Sequence, residues 1–534
     1  MHQAQAERLL FTPASPQADA VPLIFAFPNI YSVGITSLGY QVIWSTLAQR
    51  SDVQVSRLFT DAQETLPRSP ELVGFSFSWE LDYSNILTLL EQLQIPLLAK
   101  ERGAEDPLIF GGGPVLTANP EPFADFFDLI LLGDGENLLP EFIDGYQGVR
   151  SCSRDEKLEK LAQIPGIYVP SLYEIGYEAA EGKISHIQPS TIAIPAQVSK
   201  QTYRGNVLSS STVVTEKAAW ENIFMVEVVR SCPEMCRFCL ASYLTLPFRP
   251  ADTEKSLLPA IERGLQVSDR LGLLGASVTQ HPEFNELLDY LGKPEFDHVR
   301  LSIASVRTNT VDEKLAQTLA KRGTKSLTIA IESGSEKLRQ IINKKLTNEE
   351  ILTAAQQAQA GGLQGLKFYG MVGVPGETRS DVETTVDLLK QVKKVAPGLR
   401  LTFGCSTFVP KAHTPFQWYG VNPEAKQRLQ FLQKKLRPLG VDFRPESYNW
   451  SVMQALISRG DRRLAPLLLL TRHYGDTLGS FKRAFKELKG QLPSLTDTVH
   501  ADWSIADKLP WQHLLGPLPQ TTLVKHLQSA QESF

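Results

Sequence analysis

Cysteine is scarce in this chain: five residues in 534, three of them clustered. So few, so grouped, fit a reducing compartment, and a cytoplasmic protein is expected. No run of eighteen or more apolar residues occurs, so no transmembrane helix is expected. The start, Met1-His-Gln-Ala-Gln-Ala-Glu-Arg-Leu-Leu, has no basic flank ahead of a long apolar core and does not read as a secretory signal. An excess of one charge is also lacking. The net charge of −4 gives no whole-chain electrostatic case for nucleic acid or an anionic membrane. Local basic pairs, Lys321-Arg322 and Lys344-Lys345, read as solvated helix ends. No internal repeat is present. What is plentiful is core-forming material: 42% of residues are hydrophobic and an ordinary 21% are charged. The length suggests roughly three or four domains, fewer if one is a barrel.

Residues 22–146 alternate short apolar runs with helical patterns. Strands are expected at 23–27, 53–59, 72–77, 108–110 and 127–132, and helices at 37–49, with Ser37 as N-cap, and 82–93. Glycines follow two of the strands, at 111–113 and at Gly133 and Gly135. This rhythm predicts an α/β fold: a doubly wound, Rossmann-like domain over 1–150, with ligands beyond the carboxyl ends of its strands. Residues 151–220 carry Pro165, Pro170, Pro189 and Pro195 and read as a linker with a small β-element. From 221 to 420 the alternation returns six times. Strands are expected at 223–229, 271–279, 299–304, 326–331, 365–372 and 401–407. Helical patterns lie near 253–266, 283–292, 311–322, 347–361 and 379–394. Six βα units in under 200 residues predict a partial (β/α)6 TIM-type barrel, active at its strand C-termini. Residues 421–534 read as a helix-rich C-terminal region.

Just past the first barrel strand stands Cys232-Pro-Glu-Met-Cys236-Arg-Phe-Cys239. Three is an odd number for disulfides, and so tight a loop pairs poorly. Zinc usually takes four protein ligands, and the next cysteine is Cys405. A four-iron cube suits the count better, since three thiolates hold three irons and leave the fourth open. A structural zinc or a purely electron-carrying cluster is the competing reading.

The C-x3-C-x2-C spacing and Phe238 before the last cysteine resemble the signature of radical S-adenosylmethionine (SAM) enzymes. Over most of its length the chain resembles those with an N-terminal B12-binding domain. The resemblance implies a [4Fe-4S] cluster on Cys232, Cys236 and Cys239, with SAM chelating the open iron. It implies an electron donor such as flavodoxin or ferredoxin, and reductive cleavage of SAM to a 5′-deoxyadenosyl radical. Other strand ends then become candidate SAM contacts. Arg307 is the candidate partner of the SAM carboxylate, because a guanidinium binds carboxylate bidentately, against a plain rim ion pair. Glu332 looks like the family's ribose-binding acid, against a helix-capping role. Gly373 and Gly376 look like the adenine-contacting segment, against an ordinary strand-to-helix turn. The second strand departs from the family's Gly-Gly-Glu at Ala276 and Ser277. His281 reads as a capping or packing residue. Lys411 is either substrate-facing or a solvated loop lysine.

Cobalamin proteins of this fold that ligate cobalt carry Asp-x-His-x-x-Gly after the first strand. Here the stretch is Asn29-Ile-Tyr-Ser-Val-Gly34, with no histidine. Either cobalamin binds without a protein ligand or the domain has lost it. The leading function is thus a radical SAM enzyme acting on a substrate the sequence does not name. A cobalamin-dependent radical SAM methyltransferase and a non-catalytic iron–sulfur protein are the alternatives. A methylthiotransferase is disfavoured, because those enzymes need three further N-terminal cysteines and only Cys152 precedes the core.

Overall fold

Continuous apolar runs become strands buried on both faces, as a parallel sheet between helices requires. In the computed structural model, which describes residues 7–304 and 306–534, the first sheet comprises β1 (Val21–Ala26), β2 (Val53–Leu58), β3 (Leu72–Ser76), β4 (Leu108–Gly112), β5 (Leu129–Leu131) and β6 (Ile167–Tyr168). Their order is β2-β1-β3-β4-β5-β6, parallel except for β6. Strand order reverses between β1 and β3, which makes a crevice beyond their carboxyl ends. Ser37 caps the helix Leu38–Ala48 by accepting from the Tyr40 amide, as expected.

The edge strand β6 lies beyond the expected boundary at 150. It follows a helix, Arg154–Leu161, whose capping box joins Ser153 and Glu156. The small β-element of the linker is an antiparallel hairpin, Tyr173–Tyr177 with Ile184–Pro189. The rest of the linker is tied to distant parts of the chain. Val213–Thr215 pairs with Glu7–Leu9, and Val198–Ser199 pairs with Leu514–Leu515.

The barrel strands are β7 (Ile223–Arg230), β8 (Arg270–Gly275), β9 (Arg300–Ile303), β10 (Ser326–Glu332), β11 (Gly365–Val372) and β12 (Arg400–Thr407). They run parallel, and among the described residues β9 and β10 are joined through the bridge Val306–Ile329. The structure departs from expectation at two strands. β8 stops at Gly275, whose φ of 151° and contact with the Val229 carbonyl leave no room for a side chain, and residues 278–280 form a short turn. A seventh strand, β13 (Asp442–Pro445), pairs parallel with β12 inside the region expected to be helical. The α-helices of this region are Ala425–Leu436, Tyr448–Arg459, Ala465–His473, Leu478–Glu487 and Gln520–Gln531. Arg322 is not a solvated helix end: it is buried and donates to the carbonyls of Leu291 and Lys293. Among the described residues no helix is long and apolar enough to cross a membrane.

Two hydrophobic cores result. One joins the N-terminal sheet to the C-terminal helices, and the other fills the barrel wall. A buried polar node ties these parts together. Glu80, just past β3, ion-pairs with Lys411, past β12, and accepts from Ser458 (2.9 Å) and Gln454 (3.0 Å) of the helix Tyr448–Arg459. Lys411 is thus neither substrate-facing nor solvated. Burial alone would raise the Glu80 carboxyl, but Lys411 and the hydrogen bonds hold it below the ordinary value. Its folded pKa lies below its unfolded one. The stabilisation is therefore complete above about pH 4.3 and is lost as pH falls through the folded pKa. Replacing Lys411 with Met strands a buried carboxylate and is expected to cost about 3 kcal/mol in denaturant unfolding at neutral pH. A loss no larger than the ~1 kcal/mol of a surface pair would contradict this placement.

Candidate active site at the barrel mouth

Where β7 ends, the chain turns sharply, with Ser231 and Met235 both in the left-handed region (φ 70° and 55°). This turn makes the cysteine stretch a loop rather than a helix. Its carbonyls are satisfied from outside. Asn343 Nδ2 donates to the carbonyls of Glu234 (3.0 Å) and Met235 (2.8 Å), and the Tyr243 hydroxyl donates to that of Met235 (3.2 Å). Arg237 reaches from the loop to the carbonyls of Gln340 (2.9 Å) and Ile341 (2.6 Å) and to Ser529 Oγ (3.0 Å) on the last helix. His526 of the same helix lies 2.7 Å from the Tyr243 hydroxyl. The C-terminal helix therefore braces the cysteine loop.

Cys232, Cys236 and Cys239 are free thiols that line one cavity of about 180 Å3 together with Arg307, Glu332 and Lys344. The other two cysteines are elsewhere. Cys405 is buried in the barrel wall, and Cys152 sits near Lys160 beside the N-terminal sheet. Burial pushes the Cys236 thiol up to about 12 and raises Cys239 as well. Thiolates there need a positive partner, which metal coordination supplies outright. Among the described residues no three His, Cys, Asp or Glu side chains converge as they would around a single ion. The thiols surround a space instead. On the same wall, Arg307 Nε and Thr308 Oγ1 are buried without a hydrogen-bond partner. This donor set fits an iron–sulfur cluster with a polar ligand beside it.

The candidate SAM contacts divide. Arg307 and Glu332 reach the cavity, each in an ion pair. Arg307 holds Glu234 of the cysteine loop at 3.0 Å and donates to the Lys345 carbonyl at 2.8 Å. Glu332 holds Lys344 at 3.0 Å. Glu332 has φ 63°, at a register shift that ends β10, so the strand breaks as its carboxylate enters the mouth. It caps no helix: the N-cap of the following helix is Ser335. Gly373 and Gly376 are not in this cavity. Both have φ 79°, and Gly373 lies beside Ala425 and Gly376 beside Phe534 and Ile341. His281 is a packing residue, with Nε2 2.7 Å from the Ala251 carbonyl and Nδ1 accepting from the Glu283 amide.

Sequence reasoning missed Glu234, Asn343 and Lys344. Lys344 is not a solvated helix end but a mostly buried cation. The signal was present in Asn343-Lys344: asparagine favours the left-handed conformation that stops a helix, and its φ is 57°.

The N-terminal crevice has a volume of about 240 Å3 and is lined by Gly112, Gly113, Gly133, Gly135 and Arg230, among others. Gly111 faces the core, against Leu116 and Phe127. Beside it, the loops after β1 and β3 are tied by Asn29 Nδ2 donating to Asp82 (3.1 Å). They expose Ile30, Val33 and Trp79. Tyr31 turns inward, where its hydroxyl donates to Glu7, itself paired with Arg57.

Comparison with known proteins agrees with this geometry. Residues 226–389 match the radical SAM superfamily model, and residues 40–170 match the model for the N-terminal region of radical SAM proteins. An uncharacterized protein of Methanocaldococcus jannaschii is 26% identical over 461 residues, 86% of this chain and 93% of its own. The tRNA-2-methylthio-N(6)-dimethylallyladenosine synthase of Geobacillus thermodenitrificans is 25% identical over 303 residues, 54% of this chain and 55% of its own. In fold, the chain is similar to the radical SAM methyltransferase TsrM of Kitasatospora setae, solved with cobalamin and a [4Fe-4S] cluster. That likeness has a TM-score of 0.51 at 15% identity and covers 75% of this chain and 74% of TsrM. The family matches take in the N-terminal sheet from β2 onward and the barrel from β7 to β11, and the chain is a radical SAM enzyme.

Proposed function

We propose that Cys232, Cys236 and Cys239 hold a [4Fe-4S] cluster and that this enzyme cleaves SAM reductively. The observation that carries the reading is the placement of all three thiols, with Arg307 and Glu332, around one cavity at the strand ends. When bound, the reduced cluster supplies one electron to SAM, whose carbon–sulfur bond breaks to give methionine and a 5′-deoxyadenosyl radical. The chain's own groups bind and orient. Arg307 offers its guanidinium to the SAM carboxylate, sharing it with Glu234. Glu332 accepts the ribose hydroxyls while Lys344 holds its carboxylate in place. Asn343 and Tyr243 keep the cysteine loop from relaxing. A one-electron donor such as flavodoxin or ferredoxin is the matching partner.

A cobalamin-dependent radical SAM methyltransferase is the second reading. It is supported by the crevice at the reversal of strand order and by the apolar Ile30, Val33 and Trp79 exposed next to it. Tyr31 occupies the position of the missing histidine. Its hydroxyl donates to Glu7, and the loop offers cobalt no imidazole.

Replacing Cys232, Cys236 or Cys239 with Ala is expected to abolish or degrade the brown cluster chromophore. Cys152→Ala and Cys405→Ala are expected to keep full iron. A need for Cys405 would fill the fourth site with protein and sink the proposal. Glu332→Gln loses the charge and half the acceptor capacity of a group receiving ribose hydroxyls. Charge-assisted bonds contribute about 1.5–3 kcal/mol, so SAM affinity should fall about tenfold or more with iron content unchanged. Unchanged affinity would leave Glu332 as the partner of Lys344 alone. For any cobalamin taken up, electron paramagnetic resonance of the Co(II) form should show no axial imidazole splitting. An imidazole signal would refute ligand-free binding.

A further inference from the structure

The turn Asn343-Lys344 touches the cysteine loop directly. The Asn343 carbonyl lies 3.8 Å from Cys236 Sγ, and the Asn343 side chain holds two carbonyls of that loop. The left-handed φ of Asn343 stops the preceding helix Glu336–Ile341, and the Lys344 amide then closes on the Arg339 carbonyl at 2.6 Å. The consequence is that Lys344 is delivered to the thiol cavity. Its side chain is only 14% exposed, and its ammonium lies 3.0 Å from Glu332. The charged groups that line the same space are Glu234 on the cysteine loop, Arg307 past β9 and Glu332 at the end of β10.

We infer that Lys344 is a positioning residue that sets the reduction potential of the cluster, its ammonium in the cavity lined by the three cysteines stabilising the more negative, reduced form. This rests on the proposed function, in which the three cysteines hold that cluster. Three thiolates give such a centre a negative charge, and reduction adds one electron with no bond made or broken and no proton required. Net charge and solvent exposure set the potentials of these clusters. A fixed cation in a site largely shut off from water opposes the added charge far more strongly than an exposed one would. Glu332 opposes Lys344, so the two residues act with opposite signs on the same couple.

The test is a redox titration of the full-length, reconstituted protein without SAM, using dithionite and following the paramagnetic signal of the reduced cluster. Lys344→Met keeps the apolar stem and removes the charge. The expected result is about tenfold less reduced cluster at a fixed potential, equivalent to a midpoint lower by about 59 mV for a one-electron couple. Lys344→Arg keeps the charge and should stay within about threefold of the unaltered protein. Glu332→Gln should move the ratio the other way, a sign reversal that a merely structural lysine would not produce. A Lys344→Met protein with full iron and an unmoved midpoint overturns the inference. Should that variant lose iron, a Glu332→Gln protein whose midpoint is unmoved or lowered overturns it instead. Unaltered protein that takes up no four-iron cluster overturns the underlying function, a result distinct from an intact cluster with an unmoved midpoint.

Discussion

Presenting three thiols to one space requires a loop that is neither helix nor strand, and such a loop leaves its own carbonyls without partners. Asn343 answers that requirement here. Its amide takes the carbonyls of Glu234 and Met235, while its own carbonyl meets Cys236. The rest of the barrel mouth follows from this clamp. Arg237 anchors the other side of the loop on the helix Glu336–Ile341 and on Ser529, so the loop is held between the turn after β10 and the last helix. The C-terminal region is thereby part of the site's support, although its own side chains stay out of the thiol cavity.

The two cores divide the labour. The barrel wall is one packed unit, and the N-terminal sheet shares the other with the C-terminal helices. The Glu80–Lys411–Ser458 node fixes the N-terminal sheet against the loop after β12 and the helix Tyr448–Arg459 at once. Arg230, at the end of β7, lines the N-terminal crevice and pairs with Glu136 there at 2.6 Å. The first barrel strand thus points to both candidate sites: its last residue enters the crevice, and the next two begin the cysteine loop.

Local patterns in the sequence carried much of this architecture. The apolar runs at 223–229, 326–331, 365–372 and 401–407 are strands within a residue at either end, because strands buried in a parallel wall leave uninterrupted apolar runs. The capping residue Ser37 marked a helix start. The short strand Asp442–Pro445 was illegible, since its residues DFRP are mostly exposed and owe their conformation to pairing with β12. The cysteines, Arg307 and Glu332 could be singled out because strand ends of a barrel converge. Glu234 could not, because ion pairs across loops leave no periodic trace, and for Lys344 the one signal was the helix-stopping Asn343 before it. Gly373 and Gly376 show the converse limit. A glycine with positive φ marks a turn, and only the structure shows that these two stand beside Ala425 and Phe534 and not among the residues lining the thiol cavity.

The measurement that bears most directly on the central claim is product analysis after anaerobic reconstitution with iron and sulfide, followed by SAM and dithionite. The account predicts 5′-deoxyadenosine from the intact protein and none from a Cys236→Ala protein. A protein with a full four-iron cluster that binds SAM yet releases no 5′-deoxyadenosine would contradict it, and release of S-adenosylhomocysteine alone would point to methyl transfer without radical cleavage.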